Sequence, residues 1–239
     1  MDIFLVGQGN VGTALSNFLQ IRGITCKILK KVPENKNGIL FLAVSDSAVK
    51  PLLEETLEKN PEIFAVHFSA ATRFEHDRVF LLHPFCSINK ESDFSRILFT
   101  LWGNKNSGFE QNLEKTSLKF IFCGRNPGLF YHTAAVISGN FTQFFVLQAL
   151  KLLEKSGFSK ENSTQLLRQL LESSINNVFV NGINGITGPA ARGEKEVLLN
   201  EYNALKNDDP EVAGLFKAVN EAVLGMVSDK NPLSSFKNE

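Results

Sequence analysis

Three glycines at fixed spacing carry the clearest chemical signal in the chain. Gly7, Gly9 and Gly12 stand in the run GQGNVG, directly after the apolar Ile3–Val6 and directly before a helix-forming stretch, Thr13–Ile21. Strand, glycines and helix in that order form a dinucleotide-binding fingerprint. Gly7 permits the tight turn out of the strand. Gly9 carries no Cβ, so a pyrophosphate can approach the backbone. Gly12 lets the helix pack close to the strand. The helix start then offers unpaired N–H groups and a positive dipole end to the phosphates. The expected contact set is Gly7, Gln8, Gly9, Asn10, Val11 and Gly12. The alternative is a glycine-rich turn with no ligand.

The next chemical signal is a charge. A second strand is expected over Thr25–Leu29, and NAD sites usually place an acid near the end of that strand to bind the ribose hydroxyls. Here Lys30 and Lys31 occupy that place, and the first acid is Glu34. A 2′-phosphate suits two lysines, so the sequence leans to NADP, with NAD as the alternative cofactor. Two solvated turn lysines are the competing reading. Val44 and Ser45 end the next strand and are expected to line the same cleft, because ligands sit outside the carboxyl ends of such strands. Ser45 or Asp46 also suits the cap of the helix that follows.

His67 and His83 fall at the carboxyl edge of two further strands, where substrate contact and plain packing are both open readings. No local His/Asp/Glu spacing supplies a third metal ligand, so no metal site is expected. Cys26, Cys86 and Cys123 are too few and too scattered for a disulfide framework or a zinc finger. A reducing, cytoplasmic setting is the simplest reading.

Apolar runs with alternating helical stretches must position these groups. Strands are expected over 39–44, 63–68, 79–82, 99–103 and 118–123, with helices over 48–57 and 109–115. After Gly124-Arg-Asn-Pro127-Gly128 only helical patterns remain. Residues 1–127 therefore read as a dinucleotide-binding domain and 128–239 as a helical one that handles substrate and dimerises. The chain has 239 residues, 43% of them apolar, with 25 basic against 25 acidic side chains. That balance argues against nucleic-acid or membrane-surface binding. No signal peptide is expected, since the first strand begins at residue 3. Asn126–Leu150 is uncharged and long enough to span a membrane, but its many polar residues favour a helix covered by protein. Phe141, Phe144, Phe145 and Leu147 point to more than one face of that helix, which predicts a homodimer. Lys160–Gly182 carries an apolar stripe at helical spacing, and Pro210 suits the first turn of the last helix. The tail after Ser228 reads as loose.

GQGNVG, AVSDSAV (43–49), HPF (83–85), YHTAAVISGN (131–140) and TGPAARGE (187–194) together resemble an uncharacterised family of Rossmann-like NADP-binding proteins. Its fold is similar to that of pyrroline-5-carboxylate reductase and, more distantly, 6-phosphogluconate dehydrogenase. The resemblance implies an α/β fold. A Rossmann-type, mostly parallel sheet would precede an all-helical C-terminal domain like that of 6-phosphogluconate dehydrogenase. It also implies a dimer built through the helices, and an active cleft between the domains. No Lys occurs between Lys119 and Lys151, where hydroxyacid dehydrogenases of this class carry a catalytic one. Glu194 and Glu201 also replace the Asp and His frequent in relatives.

On this resemblance His132, Asn140, Thr187 and Arg192 are the catalytic candidates. His132 would donate a proton, the ordinary histidine pKa of about 6.5 being suited to it; its alternative is a core histidine. Arg192 would clamp a substrate carboxylate through two parallel bonds, or else pair with Glu194 or Glu196. Thr187 and Asn140 would bond the reacting group, unless Thr187 caps the helix opened by Pro189. The implied activity is NADP-dependent oxidoreduction of a small carboxylate-bearing carbonyl or imine. A dinucleotide-binding or sensing protein without turnover is the alternative that the missing Lys favours.

Overall fold

The computed structural model describes residues 1–228; the reading of a loose tail after Ser228 lies outside them. The chain forms two compact units, Met1–Thr142 and the part from Gln143 onward. The division falls beyond the composition break at 127/128, because the first turns past Gly128 pack on the sheet.

In the first unit seven strands form one sheet in the order β2-β1-β3-β4-β5-β6-β7. The strands are β1 (Ile3–Val6), β2 (Lys27–Leu29), β3 (Asn37–Leu42), β4 (Glu62–His67), β5 (Val79–Pro84), β6 (Leu98–Trp102) and β7 (Lys119–Gly124). The first five in that order pair in parallel, β6 runs antiparallel to β5, and β7 is parallel to β6. This is the expected α/β architecture. Helix α1 (Asn10–Ile21) joins β1 to β2, α2 (Asp46–Lys59) joins β3 to β4, and α3 (Ser107–Glu114) joins β6 to β7.

Side-chain alternation explains why the central strands are apolar throughout. Ile3, Leu5, Ile39 and Phe41 face a core with Leu15, Phe18 and Leu19 of α1 and Phe109 of α3. Their neighbours Phe4, Val6, Leu40 and Leu42 face the opposite core, with Val49 and Leu53 of α2. A strand with helices on both faces has no polar side, so the period of two leaves no polar trace in the sequence. Phe80 and Phe109 stack at 3.7 Å between ring centroids and fix α3 to β5.

Helix α4 (Leu129–Ala135) leads into a π-helical turn, Val136–Phe141, and then α5 (Thr142–Lys155). The second unit continues with α6 (Lys160–Asn181), α7 (Pro189–Arg192), α8 (Lys195–Asp208) and α9 (Pro210–Ser228). Asp209 accepts a hydrogen bond from the Val212 amide at 3.1 Å, which starts α9 beside Pro210 as its sequence suggested. The protein cover expected for this helix is not supplied by the described residues of a single chain. None of α4, the π turn or α5 contains a buried residue. Leu147 is 58% exposed and Phe179 of α6 is 83% exposed. Residues 129–155 form a helical run apolar enough, by length and composition, to cross a membrane.

Candidate functional site

The glycine loop is built as its sequence predicts. Gly7 has φ +104°, and a Cβ there would lie 2.0 Å from the Ala43 carbonyl oxygen. A Cβ on Gly12 would lie 2.1 Å from the Gly7 carbonyl oxygen, so helix and loop touch through bare backbone. Around the Gly9 Cβ position nothing lies within 4 Å. The space is open where a phosphate would approach. Gly7, Gln8, Gly9, Asn10 and Val11 line a cleft with Ala43, Val44, Ser45 and Phe68. Gly12 is buried behind it. Ser45 stands at the N-cap of α2 but makes no side-chain cap bond; its hydroxyl lies 3.4 Å from that of Ser47. Lys30 and Lys31 are both exposed, just past the carboxyl end of β2.

The two edge histidines differ. His67 closes β4 and is only 2% exposed, and its Nδ1 has no hydrogen-bond partner. Burial lowers its pKa from 6.5 to about 4, against the pull of Asp46 and a backbone hydrogen bond at Ser69. Between those two values the unfolded chain takes up a proton that the folded chain refuses. Stability contributed by neutral His67 is therefore present above pH ~6.5, is lost as pH falls towards ~4, and changes no further below. The loss is about 3 kcal/mol at most. Denaturant titrations at pH 7 and pH 4.5 will show a smaller drop for His67→Gln than for the parent protein; equal drops would contradict this.

His83, on β5, lines a cavity of about 460 Å³ with Pro84, Phe85, Cys86, Ser87 and the helical residues His132, Ala135, Val136, Ser138, Gly139 and Asn140. The spacing 132, 135, 136, 139, 140 is one helix face. π turns recur at functional sites, and this one carries Ser138, Gly139 and Asn140 to the cavity. His132 is exposed, which excludes the core-histidine reading, and Asn140 is exposed beside it. No Lys, Arg, Asp or Glu lines the cavity.

Tyr131 holds this wall together. Its hydroxyl lies 2.7 Å from His83 Nδ1 and 2.6 Å from Thr100 Oγ1. Its ring packs on His83, Phe85 and Trp102 at 5.2–5.4 Å. Burial raises the Tyr131 phenol above its ordinary pKa, with the Thr100 bond opposing. Burial, and then the charge of His132, lower His83 from 6.5 to about 4. Tyr131 and Thr100 were missed as candidates. Tyr131 had a signal, its place in YHTAAVISGN beside His132; Thr100 had none.

Thr187 and Arg192 lie in the second unit. Thr187 is exposed, and Gly188, not Thr187, takes the N-cap position of α7. Arg192 donates from Nε to Glu194 Oε1 at 2.7 Å and from a terminal nitrogen to Oε2 at 2.9 Å. Of the two readings left open for Arg192, the structure shows the Glu194 pair. The three cysteines are unpaired, and the described residues contain no cluster of three or more His, Cys, Asp or Glu able to hold a metal.

A protein described as an NADP oxidoreductase from Bacteroides fragilis has the same fold. Its TM-score is 0.77 at 20% identity, over 94% of this chain and 98% of that one. A reductive aminase from Aspergillus terreus, in complex with NADPH and ethyl levulinate, aligns at TM-score 0.66 and 16% identity over 95% and 98%. The Plasmodium falciparum pyrroline carboxylate reductase, with NADP bound, aligns at 0.56 and 14% over 95% and 98%. No curated protein matches the sequence. Residues 109–223 match the family model of a domain of unknown function (DUF2520). The chain thus has the fold of the Rossmann-like NADP oxidoreductases, and just under half of it, residues 109–223, matches the DUF2520 model.

Proposed function

We propose that the chain is an NADP-dependent oxidoreductase of a small carboxylate-bearing carbonyl or imine. One observation carries the reading: the glycine-loop cleft and the His83 cavity share the carboxyl edge of the parallel strands of one sheet. The cleft stands over β1 and β3, the cavity at β5, with β4 between β3 and β5. From β1 to β5 is three strand spacings, about 14 Å. A small substrate does not bridge that, whereas a dinucleotide with its phosphates at the loop does. Gly7, Gln8, Gly9, Asn10, Val11, Gly12, Val44 and Ser45 would hold the cofactor, which supplies a hydride when bound. His132 would donate a proton, and Asn140 would bond the reacting group. The parts given to Thr187 and Arg192 rest on the family resemblance, and Arg192 would have to exchange Glu194 for a substrate carboxylate. NADPH oxidation against a panel of keto acids and cyclic imines tests the activity; no oxidation with any of them, despite NADPH binding, would favour the sensing alternative. The uncharged cavity wall and the missing Lys are what that alternative has in its support.

Lys30 and Lys31 would bind the 2′-phosphate. NADP is expected to bind more tightly than NAD, and removing both charges should narrow the gap by about 1–3 kcal/mol, the range for charge-assisted hydrogen bonds. Calorimetric titration with the two cofactors checks this; equal affinities in the parent protein would count against it.

A second copy of the chain would cover the apolar helices. Phe141, Phe144, Phe145 and Leu147 are 38–58% exposed, and the stripe on α6 is largely exposed too. Such continuous apolar surface marks an interface, and an obligate one buries more than about 2,000 Å². Light scattering at micromolar concentration should give a dimer mass, and a monomer alone would refute it. The free thiols fit a cytoplasmic setting.

A further inference from the structure

The hydrogen bonds behind His83 determine which of its nitrogens carries the proton. Three contacts share three protons: Nδ1 with the Tyr131 hydroxyl, that hydroxyl with Thr100 Oγ1, and Thr100 Oγ1 donating to the His83 carbonyl oxygen at 3.3 Å. A hydroxyl has one proton to give. If Thr100 gives its proton to the carbonyl, Tyr131 must give its own to Thr100, and Nδ1–H must donate to Tyr131. All three bonds are then made. If Nδ1 is bare, Tyr131 donates to it, Thr100 donates to Tyr131, and the bond to the carbonyl is lost. The first arrangement keeps one more bond, so it fixes the Nδ1–H tautomer. Nε2 is left with a lone pair and, among the described residues, no hydrogen-bond partner, on a ring that lines the cavity.

We propose that His83 Nε2 is a hydrogen-bond acceptor for the reacting group of the substrate, and that this group is the N–H of a protonated imine. This rests on the oxidoreductase reading and names the substrate class within it. A bare carbonyl offers no proton to Nε2 and would leave the lone pair unpaired, a costly mismatch in a partly buried site. A protonated imine offers its N–H. No Lys or Arg lines the cavity to repel it. Phe85, which lines the cavity, and Tyr131 pack their rings on His83, and aromatic faces attract organic cations. The low pKa of His83 agrees, because a neutral ring accepts where an imidazolium could only donate and repel. When the iminium carbon gains a hydride, the C=N π pair becomes the amine lone pair. The N–H stays on nitrogen, bonded to Nε2, and His83 neither gains nor loses a proton. Tyr131 and Thr100 are positioning residues that set the tautomer.

The experiment is ¹⁵N NMR of the imidazoles in the full chain, with His83 assigned by His83→Gln, followed by titration with pyrrolidine and with tetrahydrofuran. Both rings are similar in size, but only protonated pyrrolidine has an N–H to donate. Expected are a bare Nε2 in the free protein, at least tenfold tighter binding of pyrrolidine than of tetrahydrofuran, and a displaced Nε2 resonance with pyrrolidine alone. Tyr131→Phe should mix the tautomers and shrink the preference. His83→Gln, which keeps an acceptor oxygen, should retain more of it than His83→Phe. An Nε2–H tautomer, or equal binding of the two rings, overturns the proposal. Turnover is a separate arm. Reduction of cyclopentanone in preference to 1-pyrroline also overturns the proposal while sparing the oxidoreductase reading. Absence of NADPH binding sinks that reading, whereas the NMR result judges His83 regardless.

Discussion

Gly9→Val should abolish NADPH binding at concentrations that saturate the parent protein, and should leave the thermal unfolding transition close to where it was. Both halves of that result follow from the space around one atom. A Cβ at residue 9 meets nothing of the protein within 4 Å, so the fold offers it no clash, and a poorer N-cap of α1 is the main cost expected. The branched side chain instead fills the space in which the pyrophosphate would meet the loop. Gly12→Ala is the control with the opposite signature. Its Cβ would stand 2.1 Å from a backbone oxygen, which forces α1 away from β1 and costs about 1–3 kcal/mol or more of stability. Titration and melting of the two variants separate a ligand glycine from a packing glycine. Unchanged NADPH affinity in Gly9→Val would remove the phosphate role from the loop.

That contrast was partly legible in the sequence, because the motif assigns its glycines different jobs and the neighbouring strand and helix are local. β1, β3, β4 and β5 were legible for a related reason: a short apolar run bounded by turn residues is what a strand covered on both faces must look like. β2 was placed two residues too early. It is an exposed edge strand, and its burial pattern gives the sequence no boundary. The π turn left no trace, since over six residues its period cannot be told from 3.6. The helical run 129–155 was read as apolar almost all round and covered by protein, and the described residues of one chain do not cover it; composition states that a face needs covering, not by what. At the site, Arg192 and Glu194 are two residues apart, so their pairing could be foreseen as an option. His83 and Tyr131 are 48 positions apart, and only the sheet order and the return of α4 onto it bring them together.

His132→Ala should lower NADPH-dependent imine reduction by about 10²–10⁴-fold, the usual cost of a lost general acid, but only where the imine arrives without its proton. His132 is exposed on the cavity face of α4, four residues before Val136 and eight before Asn140 on the same face. From there it can protonate a neutral imine nitrogen, while His83, held by Tyr131 and kept neutral by burial, cannot. Well above the imine's own pKa, nearly every substrate molecule needs that proton, and the variant should show the full loss. Well below it the substrate enters as iminium, the proton is already in place, and variant and parent should converge. Their rate ratio should therefore follow the titration of the substrate, moving when an imine of different basicity is used. NADPH affinity should not change at any pH, because the glycine loop stands at the other end of the sheet edge. Steady-state rates with two cyclic imines of different pKa, each taken across the pH range, give the answer. If the ratio is flat with pH, His132 does not supply the proton. If the variant keeps full activity throughout, His132 has no part in the chemistry, and the proton must come from solvent.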